Sequence, residues 1–503
     1  MENNLLKELF RGALLMLLLT GAGCTDPDSD GKAPHNDDET EITLGSEQEL
    51  KEWMFDYMKK NYLWNDAVKQ VTPDYALGYQ AFLERILLDV AAQNDVNHDD
   101  GYWENGTRLS FYSMIERYKV ETEDAAATTR GWRETAEDAG FVMLYYMYRD
   151  QTWTDCLFQV GGVSPFSPAG KAGLRRGDCI EKIDGKTFGA SQINEMYARI
   201  IAPEGDVTLT LSGTAEQPAR EITYHLEPYE DNPVWKSAVL TTKGGRRVGY
   251  LCYNAFNLYY DDALLDAFAT FREAGVEELI LDLRYNSGGH VASSLLMGTA
   301  VAGNAQKDKV FMREIYNADR QAAGESGDLF RIGNADFGGG SYEKIASALD
   351  VSLGLPRIYL LCSEATASAS ELLINGLRGL GIEVRLIGVR TNGKNVGMEI
   401  GFRILDGYEY DFSPITFYAE NAQGSADYGE GFTPDLEAPE SDFEVADWGS
   451  PDDGLTALAL EWIDSGQKPV VKTRSAAAPR LHALPIPGRR LRGSIVELNP
   501  GSR

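Results

Sequence analysis

Cysteine and histidine are both scarce, at five each in 503 residues. Cys24, Cys156, Cys179, Cys252 and Cys362 form no CxxC pair, and none has a histidine close by in sequence. That scatter excludes a disulfide framework or a zinc site as the organising feature, and no metal or other cofactor is expected. Cys252 and Cys362 fall in apolar, strand-like runs, where a buried thiol is the simplest reading. Long apolar runs are missing as well: no stretch reaches the roughly 20 residues that a membrane-spanning helix requires. Positive charge is also short, for the formal net charge is -30. A polyphosphate partner would be repelled, so nucleic acid is not expected.

What is present suits a folded protein of several parts. The hydrophobic fraction is 43% and the charged fraction 25%, and the length implies two to four domains. At the N-terminus Lys7 and Arg11 precede an apolar run over 13–19, then Thr20-Gly21-Ala22-Gly23-Cys24. A run this short suits a cleaved signal over 1–24. Small residues directly before a cysteine resemble a bacterial lipobox, which implies Cys24 as the lipidated first residue, although Gly21 stands where leucine is usual. Residues 25–45, rich in aspartate and glutamate, read as a solvated tether. The expectation is an exported protein held to a membrane of the cell envelope by a lipid anchor.

Residues 46–135 read as helical, with Leu50, Trp53, Met54, Tyr57 and Met58 on one face and a second run over 81–92. The stretch 94–101 (NDVNHDDG) has a passing likeness to a calcium loop. It lacks the glycine and closing glutamate of one, and is read as an ordinary polar loop. Short strands and turns follow over 136–230, around Gly140-Phe141-Val142 and the run from Ser167-Pro168-Ala169 through Ala172-Gly173-Leu174 and Gly177-Asp178 to Ile183-Asp184-Gly185. This run resembles a PDZ domain of the bacterial protease type. The resemblance implies that backbone groups of Gly140, Phe141 and Val142 receive a peptide terminus, the peptide adding as a strand.

From 240 to 468 strands and helices alternate, as in an α/β core with parallel strands. Strands are expected at 247–253, 277–283, 357–362 and 383–388, with helices over 261–274 and after 368. Two loops at carboxyl ends of strands attract attention, since open α/β sheets bind ligands there. One is Asp282-Leu283-Arg284-Tyr285-Asn286-Ser287-Gly288-Gly289, whose paired glycines let backbone N–H groups approach an oxyanion. The other is Ser363-Glu364-Ala365-Thr366-Ala367-Ser368-Ala369-Ser370-Glu371. Ser368 stands at a helix start, where the dipole favours developing negative charge. Ser368 with Glu371 also fits the capping box S-x-x-E, which needs no catalysis and is the better reading of the local pattern alone. Lys394, in Thr391-Asn392-Gly393-Lys394, changes the balance. One helix and one returning strand bring it back to the edge where Ser368 sits, and a lysine whose pKa is lowered by burial can serve as a base.

Taken together, the DLR-x-N-x-GG loop, the S-A-S-E turn around Ser368, the T-x-GK turn and the PDZ signature resemble the C-terminal processing (tail-specific) serine peptidases. The resemblance covers about 46–466. It implies a multidomain α/β protein with an N-terminal helical segment, a PDZ-like β-rich domain and a peptidase core of the ClpP/crotonase-like type. It further implies Ser368 as nucleophile, Lys394 as general base, and Gly288 and Ala369 as oxyanion donors, with Gly289 a close alternative to Gly288. Protein or peptide substrates, bound through their C-terminal tails, would be the partners. One departure stands out: many members carry glutamine four residues after the lysine, and here Met398 cannot donate a hydrogen bond. Of the histidines only His290 adjoins a motif. The alternative class is a weak or inactive peptidase-like binding protein of the envelope. Residues 469–503, rich in arginine and proline, are expected to be a disordered basic extension.

Overall fold

A computed structural model describes residues 43–104, 106–119, 136–149, 154–213, 218–337, 340–471, 480–484, 486 and 495–497. The expected signal, Cys24, most of the acidic tether and residues 120–135 lie outside the described residues. Helix α1 (Glu47–Asn61) starts where the Ser46 hydroxyl accepts the Glu49 N–H as an N-cap, and it buries Leu50, Met54, Phe55 and Met58. Helix α2 (Tyr79–Ala91) buries Phe82, Leu83, Ile86, Leu87 and Val90 at helical spacing. The chain then turns to strands, ending in β1 (Met114–Lys119). Helix was expected through this stretch. Strand wins because β1 finds an antiparallel partner almost 300 residues away, Tyr410 lying opposite Arg117.

The next part is a six-stranded sheet: β2 (Phe141–Tyr148), β3 (Cys156–Val163), β4 (Cys179–Ile183), β5 (Val207–Leu211) and β6 (Arg220–Tyr224), with a later strand beside β2. Helix α3 (Ile193–Ile201) packs Ile193, Met196 and Ile200 onto it. The peptidase-like core begins with β7 (Val234–Thr241), β8 (Arg247–Tyr253), α4 (Asp261–Glu273), β9 (Glu278–Asp282), β10 (Gly289–His290) and α5 (Val291–Ala302). It continues with β11 (Val310–Tyr316), β12 (Leu329–Arg331), β13 (Arg357–Cys362), α6 (Ala369–Gly379), β14 (Glu383–Gly388) and β15 (Val396–Glu399). After these come β16 (Gly401–Leu405), β17 (Tyr408–Ser413), β18 (Ile415–Glu420), β19 (Leu436–Glu437), α7 (Gly454–Ser465), β20 (His482–Leu484) and β21 (Ile495–Glu497).

The main sheet runs β7-β8-β9-β13-β14-β19. Every neighbour pair from β8 onward is parallel, and β9 and β13 bury nearly every residue, as a sheet covered on both faces requires. A second sheet, β10-β21-β15-β18-β11-β12, stands beside it. The hairpin β16-β17 pairs with β1, and Val396, Met398, Phe412 and Ile415 share one hydrophobic cluster with α1 and α2. The N-terminal helices are therefore packed against the strands that follow Lys394. Strand β20 adds to the PDZ-like sheet and β21 to the second sheet, so part of the segment expected to be disordered is built into both.

Candidate active site

The turn that carries Ser368 follows β13, and the neighbouring loop after β9 is tied to it. Thr366 Oγ1 donates to the Leu283 carbonyl at 2.8 Å, Ser370 Oγ donates to the Asn286 carbonyl at 3.0 Å, and the Ala367 N–H reaches the same carbonyl at 3.2 Å. The two loops expected to carry the chemistry thus form one rigid edge. Ser368 itself has φ +58° and ψ -115°. A non-glycine residue held there costs about 1–3 kcal/mol, and such strain is characteristic of functional turns. Ser368 is wholly buried, and among the described residues its hydroxyl has no hydrogen-bond partner.

Glu371 explains how the turn is held. Its fully buried carboxylate accepts the Ser368 N–H at 3.0 Å, the Thr391 hydroxyl at 2.6 Å, the Gly393 N–H at 2.7 Å and the Lys394 N–H at 2.8 Å. Half of the capping box is therefore present: Glu371 receives the backbone of Ser368, while the Ser368 hydroxyl caps nothing. Because one oxygen, Oε2, accepts from both Ser368 and Lys394, the backbones of these two residues lie side by side. Burial pushes the Glu371 carboxyl up to about 7, against four donors that favour its charged form.

Lys394 is 2% exposed. Burial drives its ammonium down from the ordinary range to about 7, with Asp100 and Glu371 opposing the shift. Its Nζ lies 4.6 Å from the centre of the Tyr112 ring, and Tyr112 OH donates to Asn392 Oδ1 at 2.7 Å. The side chains that surround the lysine thus come partly from the N-terminal part of the chain. Asp100 belongs to the stretch read as an ordinary polar loop, yet it is completely buried. It accepts from Tyr62 OH, Ser113 Oγ, and the N–H groups of Tyr112 and Ser113 at 2.6–2.9 Å. Neither Asp100 nor Tyr112 carries a spacing signal; only the fold sets them near Lys394.

Met398 is fully buried in the cluster shared with α1 and α2. Glu399 is turned to an ion pair with Arg320 and a 3.2 Å contact with Tyr316 OH. Gly288, at φ +112°, sits tightly against the serine turn: a Cβ there would meet Ser368 Cβ at 2.7 Å and the Ala369 nitrogen at 2.9 Å. Its own N–H donates to Asn286 Oδ1 at 2.9 Å, so Gly288 first supplies close approach. Ala369 opens α6, and its carbonyl accepts from Ser294 of α5 at 3.0 Å. His290 is buried, with Nδ1 3.2 Å from the Phe256 carbonyl. Among the described residues no group of His, Cys, Asp and Glu side chains is arranged to hold a metal.

The PDZ-like loop is less open than its sequence suggests. The Gly140 N–H is donated to Asp138 Oδ1 at 2.7 Å, and the Phe141 side chain is 2% exposed within the domain core. Val142 faces a cavity of about 550 Å³ between this domain and the peptidase-like core, which Ser287, Gly288, Gly289, Ser363 and Phe256 also line.

Comparison with known proteins places these parts in a family. Residues 247–438 match peptidase family S41, 159–211 match a PDZ domain, and 49–104 match the peptidase S41 N-terminal domain. A "Probable CtpA-like serine protease" of Staphylococcus aureus strain COL is 26% identical over 271 residues, 54% of this chain and 48% of the relative. The chain thus spans about half the length of such curated relatives. The "Carboxyl-terminal-processing protease" of Synechocystis sp. strain PCC 6803 is 25% identical, covering 62% of this chain and 66% of that one. A crystal structure from Bacteroides fragilis NCTC 9343, assigned to the S41 proteases, shares the fold. It superposes with a TM-score of 0.61 at 24% identity, covering 82% of this chain and 97% of that one. Helical segment, PDZ domain and α/β core follow one another here in the order of the three matched regions, and it is the core, residues 247–438, that matches peptidase family S41.

Proposed function

We propose that the protein is a serine endopeptidase of the cell envelope that cleaves protein or peptide chains through Ser368 and Lys394. The observation that carries this reading is a buried serine hydroxyl on a strained turn at a helix start, its backbone held by the same Glu371 oxygen as that of a lysine that burial brings to about 7. A neutral Lys394 takes the proton as Ser368 Oγ attacks the scissile carbonyl. The oxyanion then forms at the start of α6, where the Ala369 N–H stabilises it, joined by the Gly288 N–H once that group leaves Asn286 Oδ1. Lys394 passes its proton to the leaving amine. Water next enters, gives a proton to Lys394 and releases the acyl group, and Ser368 regains its hydrogen. No cofactor takes part.

The working parts are 46–135, 136–230 and 240–468, with the edge of β2 and the residues Gly140, Phe141 and Val142 receiving substrate C-termini. A cleaved signal over 1–24 would direct export, and a lipid on Cys24 with the tether over 25–45 would then hold the enzyme at a membrane, either periplasmic or surface-exposed. Among the described residues no helix is long and apolar enough to cross one. One observation favours a second reading, a weak or inactive binding protein: Met398 replaces the glutamine of many relatives and is committed to a hydrophobic cluster.

The test is steady-state cleavage of an unstructured protein, with and without its last residues. Ser368→Ala and Lys394→Ala should each lower kcat/KM about a thousandfold or more. Wild-type turnover in either variant would refute the assignment, and failure of the native enzyme to react with a fluorophosphonate would support the binding protein. Detergent partition of the native chain and of Cys24→Ser reports on the anchor, which is refuted if both behave alike.

A further inference from the structure

We propose that Tyr112 is a positioning residue of the reaction, the face of its ring holding the Lys394 amine in place and receiving the ammonium that forms there. The catalytic use of that contact rests on the peptidase reading above; the contact itself rests on geometry.

The residue is held at both ends before the lysine meets it. At one end the Tyr112 N–H donates to Asp100 Oδ1 at 2.9 Å, and Asp100 is wholly buried, accepting also from Tyr62 and Ser113. At the other end the hydroxyl donates to Asn392 Oδ1 at 2.7 Å. Asn392 shares a turn with Lys394, and its N–H donates to the Thr366 carbonyl at 3.0 Å, in the loop that carries Ser368. Tyr112 thus spans from a buried acid of the N-terminal part to the place where the lysine and serine turns meet. A ring pinned in this way has little freedom left to lose when it meets a cation. Lys394 Nζ lies 4.6 Å from the ring centre, inside the roughly 6 Å over which the negative face of an aromatic ring attracts an ammonium.

The strand beyond the lysine offers apolar side chains on this side. Val396 and Met398, at alternate positions of β15, both enter the hydrophobic cluster shared with α1 and α2, and Tyr112 packs against the same cluster. The contact also suits the direction of the proton. A ring face does little for a neutral amine and favours an ammonium. Its pull therefore grows as Ser368 Oγ gives its hydrogen to Nζ, which is when it lowers the barrier. Burial and nearby acids hold the Tyr112 phenol well above its ordinary range, so the ring stays neutral and competes for no proton. The charges that reach Lys394 are Asp100 and Glu371. Asp99 and Tyr102 act on Tyr112, and Tyr428 faces Glu371. A substitution at Tyr112 leaves all of these groups in the chain.

The test compares Tyr112→Leu, which keeps an apolar side chain beside the lysine, with Tyr112→Phe, which keeps the ring. Both lose the bond to Asn392, so their difference isolates the aromatic face, and circular dichroism identifies folded variants. On an unstructured protein, Tyr112→Leu should lower kcat about tenfold at unchanged KM. The acid limb of its pH-rate profile should move about one unit lower, because the ammonium loses its partner. Tyr112→Phe should keep the limb in place and most of kcat. Loosened packing alone would admit water and send the limb upward. An unmoved or upward limb in Tyr112→Leu, or equal shifts in the two variants, overturns the proposal. A second measurement needs neither turnover nor a change at Tyr112. In Ser368→Ala protein isotope-labelled at lysine Cε, the Lys394 signal is identified by its loss in Lys394→Arg. Its Cε protons should carry the upfield shift of protons lying over an aromatic face, kept in Tyr112→Phe and lost in Tyr112→Leu. Absence of that shift while Tyr112 is in place overturns the proposal whatever the activity. A ring shift that follows the aromatic face while no form turns over sustains the contact and removes the peptidase reading instead.

Discussion

At the scale of single residues, the site depends on how much charge the buried lysine tolerates. Burial lowers the Lys394 ammonium to about 7, and the nearest opposition comes from Asp100 and Glu371. In the proposed mechanism only the neutral amine takes the Ser368 proton, so kcat/KM should rise with pH through about 7 and fall tenfold per pH unit on the acid side. Asp100→Asn removes a negative charge that favours the ammonium. The lysine pKa then drops further, and the acid limb should move to lower pH. Asp100 also accepts four hydrogen bonds, so the variant should lose about 1–3 kcal/mol of stability. A pH-rate profile on the folded variant decides the matter. An acid limb that stays in place or moves upward would show that Asp100 does not act on Lys394.

At the scale of elements, the turn into α6 stores strain that the chain could shed. Ser368 sits at φ +58° although it carries a Cβ, and its hydroxyl accepts nothing from the helix. Glycine reaches positive φ without that penalty, and at a helix N-cap costs only a few tenths of a kcal/mol. Ser368→Gly should therefore be inactive yet at least as stable as the native chain, by as much as about 1 kcal/mol, in urea denaturation. Clear destabilisation would mean that the hydroxyl has a structural role. Much of this element level was legible in the sequence. Strands at 247–253, 357–362 and 383–388 fall where the apolar runs end on turns, and α4 and α6 where helical spacing begins. What escaped was set by distant partners. Strand β1 is a strand only because β17 lies beside it, and β20 is three residues whose sole instruction is the open edge of β2. Asp100 looked like one acid among several because Tyr62, Tyr112 and Ser113, which bury it, lie on separate elements. The Ser368 and Lys394 motifs were readable because each is a short turn at a strand end. The packing of Tyr112 against the lysine was not.

At the scale of the whole molecule, a buried ionic network joins the PDZ domain to the core. Arg176, from the PDZ signature, donates to Asp453 Oδ2 at 2.7 Å and also pairs with Glu440. Arg284, from the loop that leads to Gly288, donates to Asp282 at 2.6 Å, Glu440 at 2.6 Å and Asp453 at 3.1 Å. The Trp448 ring lies 4.6 Å from the Arg176 guanidinium, and Tyr145 of β2 donates to Glu440 at 2.9 Å. Asp453 ties these pieces together and also caps α7, accepting the Thr456 N–H. Burial works to raise its pKa, but Arg284 and Arg176 more than offset this and hold the carboxyl at about 2. A depressed carboxyl contributes stability that is present above its unfolded value of about 3.9 and lost as pH falls toward about 2. Asp453→Ala leaves two arginines short of a buried counter-charge, for which about 3–5 kcal/mol is the usual cost. Because the network spans two domains, the loss should also uncouple them. The native chain should unfold the PDZ domain and core in one transition at pH 7, and Asp453→Ala should show two, with the PDZ domain melting first. Amide exchange across β3 and β5 of the PDZ domain, compared with exchange across β8 and β9 of the core, separates the two events. A single transition at native stability would show that the domains are held together by their apolar contacts and not by these charges.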